Sequence, residues 1–217
     1  MSNIARYYAG HKDFPIGYID SWMGLSPFVV TQIIGPLMDI PRTLESSHRI
    51  ATPRDAEDYL VRLAAFDVMA ASVQAKLAAD AGRGWIAPKV ILEGANDYIA
   101  RFIAPEPASH ALVTSFADKL AASDAFSAQE RDAMMRRATG LVRDVVYPAY
   151  QQVTDAVRAL LPKAPDADGI WAQPQGAGYY RDAIRFLGDT DLDADAIHDV
   201  GLAEIKRISG EMDAILR

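Results

Sequence analysis

From Pro53 onward the dominant pattern is helical, with apolar residues returning every three or four positions. A helix places such residues on one face, whereas a half-buried strand needs strict alternation. The boundaries are marked as well. Thr52-Pro53-Arg54-Asp55 is a helix start, with a threonine cap, a proline in the first turn and an acid at the positive dipole end. Leu60, Leu63, Ala64 and Val68 supply the inner face, and Gly82 with Gly84 stops this helix after Ala81. A second helix starts at Pro88 and turns Val90, Ile91, Ala95, Tyr98, Ile99 and Phe102 inward before Pro105 and Pro107 end it. A third covers Ser109 to Ala122. Ser127 and Glu130 form a capping box that opens a long helix. Its stripe is Met134, Ala138, Leu141, Val145, Ala149, Val153, Ala156 and Leu160, with a kink expected at Pro148. Pro162 to Gly178 reads as loop and Tyr179 to Leu187 as helix. Asp193 caps a final helix carrying Ile197, Val200, Ile205, Ile208, Met212 and Ile215.

This pattern predicts an all-α chain, an array of about six helices with few or no short strands. Residues 1–51 read as an irregular N-terminal segment packed on a helical domain, 52–217. Strand candidates are confined to Ile16–Ile19, Phe28–Ile34 and Gly169–Ala172. Ser21 to Met38 carries no charge for 18 residues. Gly24, Pro27, Gly35 and Pro36 break it as a membrane span, which leaves buried irregular chain or a short strand.

The 217 residues suit one large domain or two small ones. There is no cysteine, which excludes disulfides, thiolate metal sites and a cysteine nucleophile. A net charge of −7 and a pI near 5.1 disfavour binding to a phosphate backbone, so no nucleic-acid partner is expected. Nor is a membrane partner. The first twenty residues lack the basic start and apolar run of a signal peptide, and cytoplasm and periplasm both stay open.

Motifs for catalysis are missing from the sequence. The histidines are His11, His48, His110 and His198; none is followed by Glu, and no two are spaced i, i+4 as a helical zinc site requires. His48 reads as a surface residue, His110 as a helix cap and His198 as a partly buried helix residue. There is no nucleophile elbow, P-loop or dinucleotide fingerprint. The run Asp189, Asp191, Asp193, Asp195 and Asp199 is better read as a solvated helix N-terminus than as a cation site. Gly176 and Gly178 precede a helix, where amides can meet an anion, though a simple turn is the commoner use. Trp171, Tyr179 and Tyr180 gather flat faces and hydroxyls near one loop. They can line a cleft or anchor the loop, and the residues alone do not decide between the two.

Several stretches, in order, resemble a bacterial family known as domain of unknown function 885. Gly169-Ile170-Trp171-Ala172-Gln173-Pro174-Gln175-Gly176 followed by Tyr179-Tyr180 resembles its G-[VI]-W-x-x-P-x-G-x-x-Y-Y segment. Thr190-Asp191-Leu192 and Ala196 to Ile205 resemble its T-D-L-[ST]-x-x-E-I-H-x-[LI]-G-L-x-E-[VI] segment, with Ala196 where Glu is usual. Trp22 to Val30, Gly35-Pro36 to Leu44 and Thr52 to Leu63 look like its upstream segments. The resemblance implies a helical architecture akin to zinc metallopeptidases, in a longer protein whose H-E-x-x-P-G-H segment lies downstream of this region. By that reading no catalytic or metal-ligating residue belongs to this chain, and zinc belongs to the parent. The expected role is a non-catalytic scaffold with a substrate-cleft wall at Trp171, Gly176, Tyr179 and Tyr180. Its partners are the rest of the parent and a peptide substrate. The rival expectation is a stand-alone helical interaction module, using the helix from Glu130 to Leu161. A homodimer through exposed surfaces is a further expectation.

Overall fold

The structure is a computed structural model and describes residues 14–20 and 24–216. His11 and the Trp22-Met23 pair lie outside the described residues. Two units are distinguished by their contacts, Pro15–Asp168 and a second made of Met1–Phe14 with Gly169–Arg217.

The first unit opens with a two-stranded antiparallel hairpin, β1 (Tyr18–Asp20) and β2 (Gly24–Ser26), in which Ile19 pairs with Leu25. Seven α-helices follow: α1 (Pro36–Ser46), α2 (Pro53–Ala64), α3 (Phe66–Gly82), α4 (Lys89–Phe102), α5 (Ala111–Ala121), α6 (Ala128–Leu141) and α7 (Tyr147–Leu160). The fold is all-α, as the apolar period requires. The helices outnumber the expected six for identifiable reasons. The first fifty residues are not irregular throughout, because Pro36 sits in the first turn of α1, behind Gly35 at φ 132°. The helix read as continuous from Pro53 is broken at Ala65, whose ψ of 4° turns the axis. Phe66, Ala70 and Val73 then continue the buried row from Leu63, while Ala64 and Val68 face water. Of the strand candidates, Phe28–Ile34 contains no strand, and Ile170–Ala172 is a 3-10 turn.

The expected caps are formed. Thr52 and Asp55 make a reciprocal capping box, and so do Ser127 and Glu130. α1 has no basic residue in its last turn; the Lys119 ammonium reaches over from α5 and donates to the Leu44 carbonyl instead.

Pro41 inside α1 has a structural cost that two tyrosines offset. A proline has no N–H, so the Leu37 carbonyl loses its i+4 donor. The Tyr150 hydroxyl donates to it at 2.5 Å and the Tyr98 hydroxyl at 3.4 Å. Burial pushes the Tyr150 phenol well above its ordinary pKa, which keeps it a donor. The Tyr150 ring stacks on Phe102 at 4.2 Å and faces Phe66 at 6.2 Å. A second aromatic group stacks Tyr59 on Phe116 at 4.6 Å, with His48 edge-on to Tyr59. His48 is therefore a core residue, not a surface one. Its Nε2 bonds the Asp55 carbonyl and its Nδ1 accepts from Arg62 at 2.6 Å.

The long helix after Ser127 also departs from expectation. It does not simply kink at Pro148. A π-helical segment, Val142–Val146, separates α6 from α7, and the Tyr147 amide donates to the Val142 carbonyl, five residues back. Pro148 has no N–H for an i−4 bond, and the widened turn absorbs that loss. The extra residue shifts the buried row from Leu141, Val145 and Ala156 to Val142, Val146 and Val157.

His110 caps α5 as expected. Its Nδ1 accepts from the Leu112 amide at 3.1 Å, and its Nε2 donates to the Phe102 carbonyl at 3.0 Å. Burial holds this imidazole below its ordinary pKa, against the pull of the Phe102 bond. The unfolded chain thus takes up the proton first. Stability owed to neutral His110 is complete above about pH 6.5 and is lost as pH falls from there towards the lower folded value. Urea unfolding from pH 7.5 down to 5 is expected to show a steeper acid-side loss for the native chain than for His110→Asn, which can cap but not titrate. Parallel profiles would refute the assignment.

In the second unit, the described residues hold the Ile170–Ala172 turn, α8 (Gly176–Leu187) and α9 (Ala194–Leu216). Asp193 caps α9, its carboxylate accepting from the Ala196 amide at 2.8 Å. None of the side chains described on α9 is buried, so His198 is exposed, contrary to expectation.

Candidate functional site

The loop before α8 is closed by small residues. A Cβ on Gly176 would stand 1.8 Å from the Ile170 carbonyl oxygen, so only glycine permits this approach. The Gly176 amide donates to the Gln173 carbonyl at 2.9 Å. It is committed inside the loop and does not point at an anion. Gln175 then takes a left-handed conformation, φ 56°, to enter the helix. The Trp171 ring lies over Gly169 yet remains 75% exposed.

These devices frame a concavity of about 660 Å³ within the second unit. Trp171, Gly176 and Tyr180, three of the four residues expected from sequence, line it. Tyr179 does not. It is buried, edge-on to Phe14 at 5.5 Å, and is a packing residue. The face of α8 that lines the concavity is the row Ala177, Tyr180, Arg181 and Ile184, and Tyr179 falls outside it.

Sequence reasoning missed Arg181, Ile184 and Leu192, which also line the concavity. A signal was present, because Ala177, Tyr180, Arg181 and Ile184 follow the three-four spacing of one helix face. Ile170, Ile184 and Leu192 give an apolar surface. Tyr180 adds a half-exposed phenol and Arg181 a guanidinium. Asp193, already used as the α9 cap, and Asp195 also line the concavity. Arg185 pairs with Asp191 at 3.4 Å outside the lining. Such a surface can hold an apolar group beside a carbonyl or carboxylate. No histidine or serine lines it. The residues present also do not fit a zinc site, since among the described residues no three His, Asp or Glu side chains gather. No helix among them is long and apolar enough to cross a membrane.

A crystal structure reported as "putative lipoprotein from Colwellia psychrerythraea" matches with a TM-score of 0.94 and 46% sequence identity. The match covers 98% of this chain and 36% of that one, so the chain spans about a third of its relative's length. No curated protein matches. The family model described as "Bacterial protein of unknown function (DUF885)" matches residues 2–217, and the chain belongs to that family.

Proposed function

We propose that this chain is the helical, non-catalytic portion of a zinc-metallopeptidase-like hydrolase, supplying scaffold and one wall of a substrate cleft. The observation that carries the reading is the concavity at Trp171, Tyr180 and Arg181, which offers groups for binding and none for attack. Peptide is the substrate class that suits it. An apolar side chain rests on Ile170, Ile184 and Leu192, while Tyr180 and Arg181 meet a backbone carbonyl or terminal carboxylate. Zinc, in this reading, is held by polypeptide outside the present chain. The lipoprotein relative supports a place outside the cytoplasm, with cytoplasm as the alternative.

Tyr180 rather than Tyr179 carries the hydroxyl role. Phenylalanine at the position matching Tyr180 in the whole relative is expected to lower kcat/KM for peptides roughly threefold to tenfold, the worth of one hydrogen bond. Unchanged turnover removes the role. The 217-residue chain alone is expected not to cleave peptides, and cleavage abolished by a chelator would overturn the proposal. A second reading, a helical interaction module, draws on the exposure of α9 rather than on the helix from Glu130 to Leu161, whose inner row is already buried.

A further inference from the structure

The apolar residues of α9 are exposed but ordered. Ile205, Ile208, Met212 and Ile215 succeed one another at steps of three, four and three. This spacing is the seam by which one helix packs along another. Ile205 is 64% exposed and Ile215 83% exposed, so the seam is uncovered among the described residues. A contiguous apolar row of this kind on a soluble protein marks an interaction surface.

The flanks restrict what can cover it. Glu204 and Glu211 precede successive first positions of the seam; Ser209 and Leu216 follow the second positions. Arg207 bonds both glutamates at 2.7 Å from the side away from the seam. A second copy lying antiparallel would set Glu204 against Glu211, which repel. A parallel copy would set them against Ser209 and Leu216, which carry no countercharge. A helix with lysine or arginine beside its apolar row answers the glutamate flank, and the uncharged Ser209 and Leu216 flank does not oppose it.

Length supplies the source. The match to the Colwellia protein covers too much of this chain to omit a 23-residue helix, yet nearly two thirds of that protein lies outside it. We infer that α9 is a docking helix whose seam receives a basic-flanked apolar helix from the polypeptide that the longer relative carries outside the matched stretch. The inference rests on the proposed membership in a longer assembly, not on zinc or hydrolysis.

The test pairs two proteins. Aspartate at the positions matching Ile205 and Met212 is expected to lower the melting temperature of the whole relative by about 5 °C or more. Ile205→Asp with Met212→Asp should leave the 217-residue chain's melting temperature unchanged, and light scattering should find that chain monomeric. Should the altered relative fail to fold, the relative's crystal structure provides the second readout. The counterparts of the four seam residues should be buried there by a helix from outside the match, with lysine or arginine at its flanks. Seam positions left in solvent, covered by non-helical chain, or covered by a second copy would overturn the inference, as would a dimer of this chain that the substitutions split. A relative without metal or hydrolase activity, in which the substitutions still lower the melting temperature, would remove the proposed function and leave the docking helix standing.

Discussion

Tyr150→Ala is expected to cost about 3–5 kcal/mol of unfolding free energy, the range for deleting a buried aromatic ring. Three losses coincide. The ring is fully buried, it stacks on Phe102, and its hydroxyl is the short donor to the Leu37 carbonyl. Tyr150→Phe separates them. It keeps the ring and removes the donor, leaving the carbonyl with the longer bond from Tyr98, and should cost about 1–3 kcal/mol. The cause lies in Pro41, which gives a sharper check. In a Pro41→Ala background the helix regains its own amide at that carbonyl, so Tyr150→Phe should cost measurably less than in the native chain. Equal costs in a urea-denaturation double-mutant cycle would show that the hydroxyl does not serve the carbonyl that Pro41 frees.

The second large effect is local. Gly176→Ala places a methyl group 1.8 Å from the Ile170 carbonyl, and that neighbour is backbone, which cannot rotate away. Relief requires the loop to move off the helix start, at about 1–3 kcal/mol. Amides of residues 172 to 177 are then expected to exchange with solvent faster, and the concavity beside Trp171 and Tyr180 should lose its shape. Gly201→Ala is the contrast. Nothing lies within 4 Å of a Cβ there, and the position is mid-helix. That change should slow exchange along α9, by about 0.5–1 kcal/mol of helix preference. Unaltered exchange in Gly176→Ala would mean the close approach does not hold the loop.

What the sequence makes legible here is local chemistry. Thr52 with Asp55, Ser127 with Glu130, His110 and Asp193 all cap the helices that their side-chain chemistry announces, because a cap needs only neighbours in sequence. α1 was obscured by the charge-free run before it, although Gly35-Pro36 is itself a start signal. The break at Ala65 has no glycine or proline to betray it. His48 lies between serines and an arginine and reads as exposed, yet Tyr59 and Arg62 from α2 enclose it, which only tertiary structure can reveal. At the site, glycine and tryptophan were readable as a loop device. The division of labour between Tyr179 and Tyr180 was not, since it depends on where α8 begins and hence on which of the two turns toward Phe14.

The π segment before Pro148 has one more consequence. A regular helix is a rigid rule, in which one residue more or less rotates everything beyond it by about 100°. Val142–Val146 interrupts that rule with a wider coil that already holds one surplus residue. α6 and α7 are therefore indexed separately. Deleting a single residue there would tighten the coil to the ordinary pitch and restore the phase that Met134, Ala138 and Leu141 announce. Because the residue removed is the surplus one, Tyr150 and Val153 would keep the partners they now meet, whereas the same deletion in the middle of α7 would swing everything beyond it by about 100°.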